Sequence, residues 1–202
     1  MIVLSSLGLK GVLEKNRAQL GALELHFDAT QAILKNLRSV RADLLVLTAE
    51  AMDDLKKKGL ITETRALGGS GVGVAVRAGA AKPDIGTVEA FKASLERAQS
   101  VAHSKVGASG IYFSQLIDQL QLKLKKRVVV EKGPVGLVVA RGEAEIGVQQ
   151  LCELEPVPGI DIVGGLPAPI QRVTHFAAGI PANAPDPKGA SALMRRLPTL
   201  AT

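Results

Sequence analysis

The chain has 202 residues, 47% of them hydrophobic, and a net charge of +6 at neutral pH. That is enough for one full core or for two small lobes. Aromatic residues make up only 2%, with no Trp, which argues against a base-stacking surface for single-stranded nucleic acid. Lys and Arg are scattered, apart from the run Lys123, Lys125, Lys126 and Arg127, which reads as a solvated helix end. No nucleic-acid partner is expected, and the positive balance suits a small anionic ligand. The single cysteine, Cys152, rules out an internal disulfide. No apolar run approaches the ~20 residues of a membrane span, so none is expected. The chain is expected to be periplasmic if a leader has been removed from it, and cytoplasmic otherwise.

Met1 to Leu4 reads as a short buried strand, followed by a polar loop, Ser5-Ser6-Leu7-Gly8, and an amphipathic helix from Leu9 to Leu20. Leu23 to Phe27 alternates as a strand. A second polar loop, Asp28-Ala29-Thr30-Gln31, then opens a helix through Ile33, Leu34 and Leu37. Asp43 to Leu47 reads as a strand buried on both faces, and Thr48 starts a helix that Gly59 ends. Gly68 to Gly71 breaks the pattern before a strand over Val72 to Val76. A helix is expected over Val88 to Ala98, a strand over Ser100 to His103, and strands at Arg127 to Val130 and Ala144 to Val148, with an apolar helix between these last two. Strands at Ile160 to Val163 and Val173 to Ala178 and a helix over Pro187 to Leu197 close the chain. The order is α/β, with mixed, mostly parallel sheets and helices on both faces.

The stretch Gly107-Ala108-Ser109-Gly110-Ile111-Tyr112 is the centre of the reading. Phe113, Leu116, Ile117 and Leu120 recur behind it at helical spacing, so a small-residue loop opens a helix. The first helical turn leaves about four N–H groups without intrahelical partners at the positive end of the peptide dipoles. Gly107 and Gly110 would let a ligand approach, and Ser109 supplies a hydroxyl either as ligand donor or as the helix cap. The same strand–polar loop–helix element occurs at Ser5 to Gly8 and at Asp28 to Gln31. In open parallel sheets ligands bind just outside the carboxyl ends of the strands. Gln149 and Gln150, at another strand end, can both donate and accept. Lys132, before Gly133-Pro134, could supply a cation. The three histidines, His26, His103 and His175, sit singly with no metal-ligand spacing, and neither a metal nor a cofactor is expected. Gly68-Gly69-Ser70-Gly71-Val72-Gly73 is followed by a strand and fails the dinucleotide fingerprint, so a hinge is the better reading.

Four segments resemble the type II periplasmic binding proteins of the molybdate-binding class. They are Ile2 to Leu7, Arg41 to Thr48, Ala108 to Tyr112, and Arg141 to Val148. Gly147 to Leu151 with Pro156 to Gly164 is similar to one branch of substrate-binding domain proteins, a branch that includes aconitate isomerase. The resemblance implies two α/β lobes, residues 1–71 with 178–202 and residues 72–177, joined by hinge strands near 72–77 and 172–178. It also implies an anion held between the lobes, in a cleft closed by hinge motion. In molybdate binders the anion meets two Ser hydroxyls, backbone N–H groups and a Tyr. Here those positions fall near Gly8, on Thr30, on Ser109 and on Gln150, with Ser5 or Ser6 left to supply the first hydroxyl. Two of the four change chemistry, and the amides favour a carboxylate over a bare oxyanion. The implied function is capture of a small anion, a molybdate-like oxyanion or an organic di- or tricarboxylate, with an ABC transporter permease as partner. The alternative is an isomerase of a small unsaturated carboxylate, whose base would be His103, Lys132 or Tyr112.

Overall fold

In the computed structural model, which describes residues 1–37 and 41–200, the chain divides into two compact units. One holds Met1–Ser70 and Thr174–Thr202, the other Gly71–Val173.

The first unit is built on three parallel strands, β1 (Ile2–Ser6), β2 (Glu24–Asp28) and β3 (Leu44–Thr48), with β1 between the other two. β9 (Val173–Pro181) runs antiparallel along β3, pairing Thr48 with Phe176. Leu44, Leu45, Val46 and Leu47 are all buried, as an apolar run covered on both faces requires. The helix expected over Leu9 to Leu20 is broken. A short 3-10 turn, Leu7–Leu9, leads into α1 (Lys10–Lys15), and Asn16 separates that from α2 (Arg17–Leu20). The Asn16 side-chain amide donates to the Val12 carbonyl, which competes with continuation of the helix. α3 (Thr30–Asn36) and α4 (Ala49–Lys57) follow β2 and β3. α9 (Pro187–Arg196) is capped by Asp186, whose carboxylate accepts from Gly189 N at 2.9 Å. The buried Asp43 carboxylate accepts from Ile2 N at 2.7 Å and from Asp186 N at 3.1 Å, fixing the start of β1.

β4 (Ile61–Arg77) corrects the sequence reading most. It is one continuous strand of 17 residues through Gly68 to Gly71, where a break is expected from the glycines. Its first half, Thr62-Glu63-Thr64-Arg65, is polar and largely exposed, so it lacks the apolar signal of a strand. Gly68 has φ +93°, and a Cβ there would run into the Leu200 carbonyl, so close packing and backbone conformation call for this glycine. β4 and β9 are the two segments that pass between the units.

In the second unit β5 (Val101–Ser104) lies parallel to both β6 (Arg127–Val130) and β7 (Ile146–Gln150). β4 joins β7 antiparallel, pairing Val72 with Gln150, and β8 (Ile160–Gly165) pairs the other side of β4. α5 (Val88–Arg97) and α6 (Ala108–Gln119) bury Phe91, Leu95, Phe113 and Leu116 against Val74 and Val148. α7 (Val135–Ala140) packs Val135 and Val138 with Ala102 and Val130 in a separate cluster. α8 (Leu151–Leu154) follows β7 directly.

Candidate functional site

Side chains at the carboxyl ends of β1, β5 and β7 are buried, and several lack partners. In the first unit β1 extends two residues beyond the sequence expectation, so Ser5 and Ser6 belong to the strand and not to a loop. Their backbone pairing with β2 sets Ser5 opposite Phe27 and Ser6 opposite Asp28. The Ser5 hydroxyl donates to the Ser6 carbonyl at 3.1 Å. The Ser6 hydroxyl is buried and has no hydrogen-bond partner, and it does not cap the turn it precedes. Gly8 lies inside that turn. Thr30 is the first residue of α3, half-buried, and Gln31 beside it is exposed.

In the second unit the ends of β5 and β7 are neighbours, since His103 stands opposite Val148. α6 starts after Gly107, at φ −72° and ψ 152°, with no side chain capping its first N–H groups. Ser109 is therefore not the cap. It is the second residue of the helix, and its hydroxyl is idle. Ser109 Oγ, Ser104 Oγ and Gln150 Nε2 are all buried without a partner, at residues 3%, 9% and 3% exposed respectively. A buried polar group left unsatisfied costs about 1–3 kcal/mol, so such groups are rare and call for a reason. The three cluster by chain position around one helix start and the two strand ends beside it. The glycines here have a different role from the one the sequence suggests. A Cβ on Gly107 would stand 2.7 Å from Ser104 Oγ, and one on Gly110 would collide with the Ser104 carbonyl and hydroxyl. They bring the helix start down onto Ser104.

Three residues of the expected set are hydrogen-bonded within the protein. Gln149 is buried and both ends of its amide are spent. Its Oε1 accepts from Val135 N at 2.8 Å, satisfying the start of α7, and its Nε2 donates to Glu153 Oε2 at 2.6 Å. Tyr112 donates its one phenolic proton to the Ile170 carbonyl at 2.8 Å. His103 is buried against Phe113, with its Nε2 accepting from Arg127 Nε at 2.7 Å. The proton consequently sits on Nδ1, which donates to the Ser104 carbonyl at 2.9 Å. Burial pushes its pKa down, and Arg127 adds to this against the opposing backbone hydrogen bond. A neutral imidazole with both nitrogens engaged is a poor general base. Lys132 is exposed in the loop before α7.

Two further residues were not visible in the sequence. Ser104 ends β5 without a motif around it. Glu153 lies in the first turn of α8, and burial pushes its carboxyl up to about 7 against the opposing hydrogen bond from Gln149. Among the described residues no group of His, Cys, Asp and Glu could hold a metal ion, and no helix is long and apolar enough to cross a membrane.

Comparison with known proteins gives this geometry a context. An aconitate isomerase from a Pseudomonas species is 42% identical over 177 residues, which cover 84% of this chain and 67% of that protein. The periplasmic molybdate-binding protein of Azotobacter vinelandii superposes with a TM-score of 0.69 at 15% identity, covering 98% of this chain and 92% of that one. A substrate-binding domain assigned to a molybdenum ABC transporter of Clostridium difficile gives 0.66 at 13% identity, over 98% and 91% of the two chains. These likenesses show the fold, that of a type II periplasmic binding protein, as the four sequence segments imply. A family model described as bacterial extracellular solute-binding protein matches residues 22–200. By that match the chain belongs to the bacterial extracellular solute-binding protein family.

Proposed function

We propose that this protein captures a small carboxylate anion at the start of α6, and that it delivers the anion to the permease of an ABC transporter. One observation carries the proposal: Ser104, Ser109 and Gln150 bury idle polar atoms around an uncapped twelve-residue helix start. An anion there would accept from the free N–H groups and both hydroxyls, at the positive end of the helix dipole. Gln150 can accept as well as donate, which suits a ligand carrying hydroxyl or protonated carboxyl groups better than a bare oxyanion.

A melting-temperature screen against molybdate, tungstate, sulfate, citrate, cis-aconitate and trans-aconitate tests the ligand class, because binding to the folded state raises the transition. A rise with the carboxylates and none with the metal oxyanions supports the proposal. A rise with molybdate alone overturns the carboxylate assignment.

A second reading, isomerisation of a small unsaturated tricarboxylate, is supported by the 42% identity to an aconitate isomerase. It requires a base within hydrogen-bond reach of the substrate carbon. His103 and Tyr112 are engaged elsewhere, which weighs against both. Glu153, with a carboxyl that titrates near neutrality, is the group to test in their place. Proton NMR of trans-aconitate with the protein decides this reading. Appearance of the cis isomer establishes turnover, and an unchanged spectrum at high protein concentration excludes it.

A further inference from the structure

Arg172 is the last but one residue of the second unit, just before β9, and its exposed guanidinium lies over the Tyr112 ring, 5.3 Å from the centroid. Several bonds hold it there. Tyr112 is tied by its hydroxyl to the Ile170 carbonyl, so the ring and the segment around Arg172 are fixed to each other. Gln171, next in the chain, accepts from Val72 N and from Arg172 N at 2.9 Å each, and donates to the Val72 carbonyl at 3.0 Å. The Arg172 carbonyl also accepts from Val72 N at 3.2 Å. The backbone on either side of the guanidinium is thus braced against the β4 strand. Among the described residues no carboxylate pairs with this cation, and its donors are left over after the stacking contact.

Tyr112 stands three residues after Ser109, so the two occupy one face of α6, with Cβ atoms about 5–6 Å apart. Tyr112, with the cation stacked on its ring, therefore lies on the face of α6 that also carries Ser109. A guanidinium presents its donors as a planar fork that fits a carboxylate with two parallel hydrogen bonds, and stacking on an aromatic face leaves the edge of that fork open.

We propose that Arg172 is a specificity-determining residue, which takes a second carboxylate of the ligand while the first occupies the start of α6. The proposal rests on the carboxylate reading of that helix start and sharpens it: the substrate class becomes di- and tricarboxylates, with two acid groups separated by a few bonds. A monocarboxylate satisfies only the helix start, and a compact oxyanion has no second group to offer.

The test is titration calorimetry of the whole chain with trans-aconitate, set beside crotonate as a monocarboxylate with the same unsaturated backbone, its shifts followed by NMR. Arg172→Gln should weaken trans-aconitate by about 20-fold or more, since a charge-assisted bidentate contact is lost, and leave crotonate within about twofold. Arg172→Lys keeps the charge without the planar fork and should lose less, about threefold to tenfold. A purely structural Arg172 would instead weaken both ligands alike, and that result overturns the inference. So does an unchanged trans-aconitate affinity in Arg172→Gln, which leaves the helix-start site standing. A wild-type protein that binds neither carboxylate overturns the reading of the site itself, and this inference with it. Tyr112→Leu removes the platform and should approach the loss seen in Arg172→Gln, whereas Tyr112→Phe keeps the ring but loses the tie to Ile170 and should fall between Tyr112→Leu and wild type.

Discussion

Two helices of the second unit begin in contrasting ways. α5 starts after Thr87, whose hydroxyl accepts from Ala90 N at 3.1 Å, an ordinary side-chain cap. α6 starts after a glycine with no cap, although Ser109 and Ser104 both hold hydroxyls at that end. The same chemistry is used for stability in one helix and left unused in the other. α4 and α9, capped by Thr48 and Asp186, follow the pattern of α5. Three helices carry a side-chain cap of this kind, whereas buried hydroxyls stand idle at α6, and the proposed anion site rests on that contrast.

The contrast can be broken by mutation. Ser109→Asp puts a carboxylate among the donors of α6 and should abolish anion binding, a loss of about 100-fold or more, because like charges repel strongly in a desolvated site. Gly110→Ala should come next. Its Cβ would strike the Ser104 backbone, so melting temperature and affinity should fall together, with a stability cost of about 1–3 kcal/mol measured by urea unfolding. Gln150→Leu separates the two quantities. It removes a buried amide nitrogen without a partner, so the ligand-free protein should melt at the same temperature or higher, while calorimetric affinity falls about tenfold. Thr87→Ala does the converse at α5. It should cost about 1 kcal/mol of stability and leave ligand affinity unchanged.

Glu153 gives the most pH-specific effect. Its carboxyl titrates near 4.5 when unfolded and about 7 when folded, because burial disfavours the charge. Between those values the folded protein keeps a proton that the unfolded chain releases. The contribution of this group to stability is therefore complete at low pH and is lost as pH rises through 7. Glu153→Gln cannot ionise and should flatten the difference in melting temperature between about pH 5 and about pH 8. An unaltered profile would place the titration elsewhere.

Much of the fold was legible because its signals are local. Leu44 to Leu47 announces a strand covered on both faces, and the alternation of short strands with helical periodicities announces a parallel sheet. The first half of β4 was not legible, because it is polar and its pairing with distant parts of the chain holds it extended in place of an apolar pattern. Gly68 reads as punctuation in the sequence and proves to be a close-packing position. In the candidate site, Ser109 and Gly110 stand out through small-residue spacing before a helix. The commitments of His103, Tyr112 and Gln149 were hidden, because their partners Arg127, Ile170 and Val135 come from elsewhere in the chain. Arg172 was hidden for the same reason, since only the folded chain stacks it on Tyr112.

The most direct test of the central claim is an amide-resolved NMR titration of the whole protein with trans-aconitate. The N–H signals of Ala108, Ser109 and Gly110 should shift first and saturate together with the side-chain amide of Gln150. Saturable shifts confined to other residues, with these four signals unmoved, would contradict the assignment of the α6 start as the place where the anion is held.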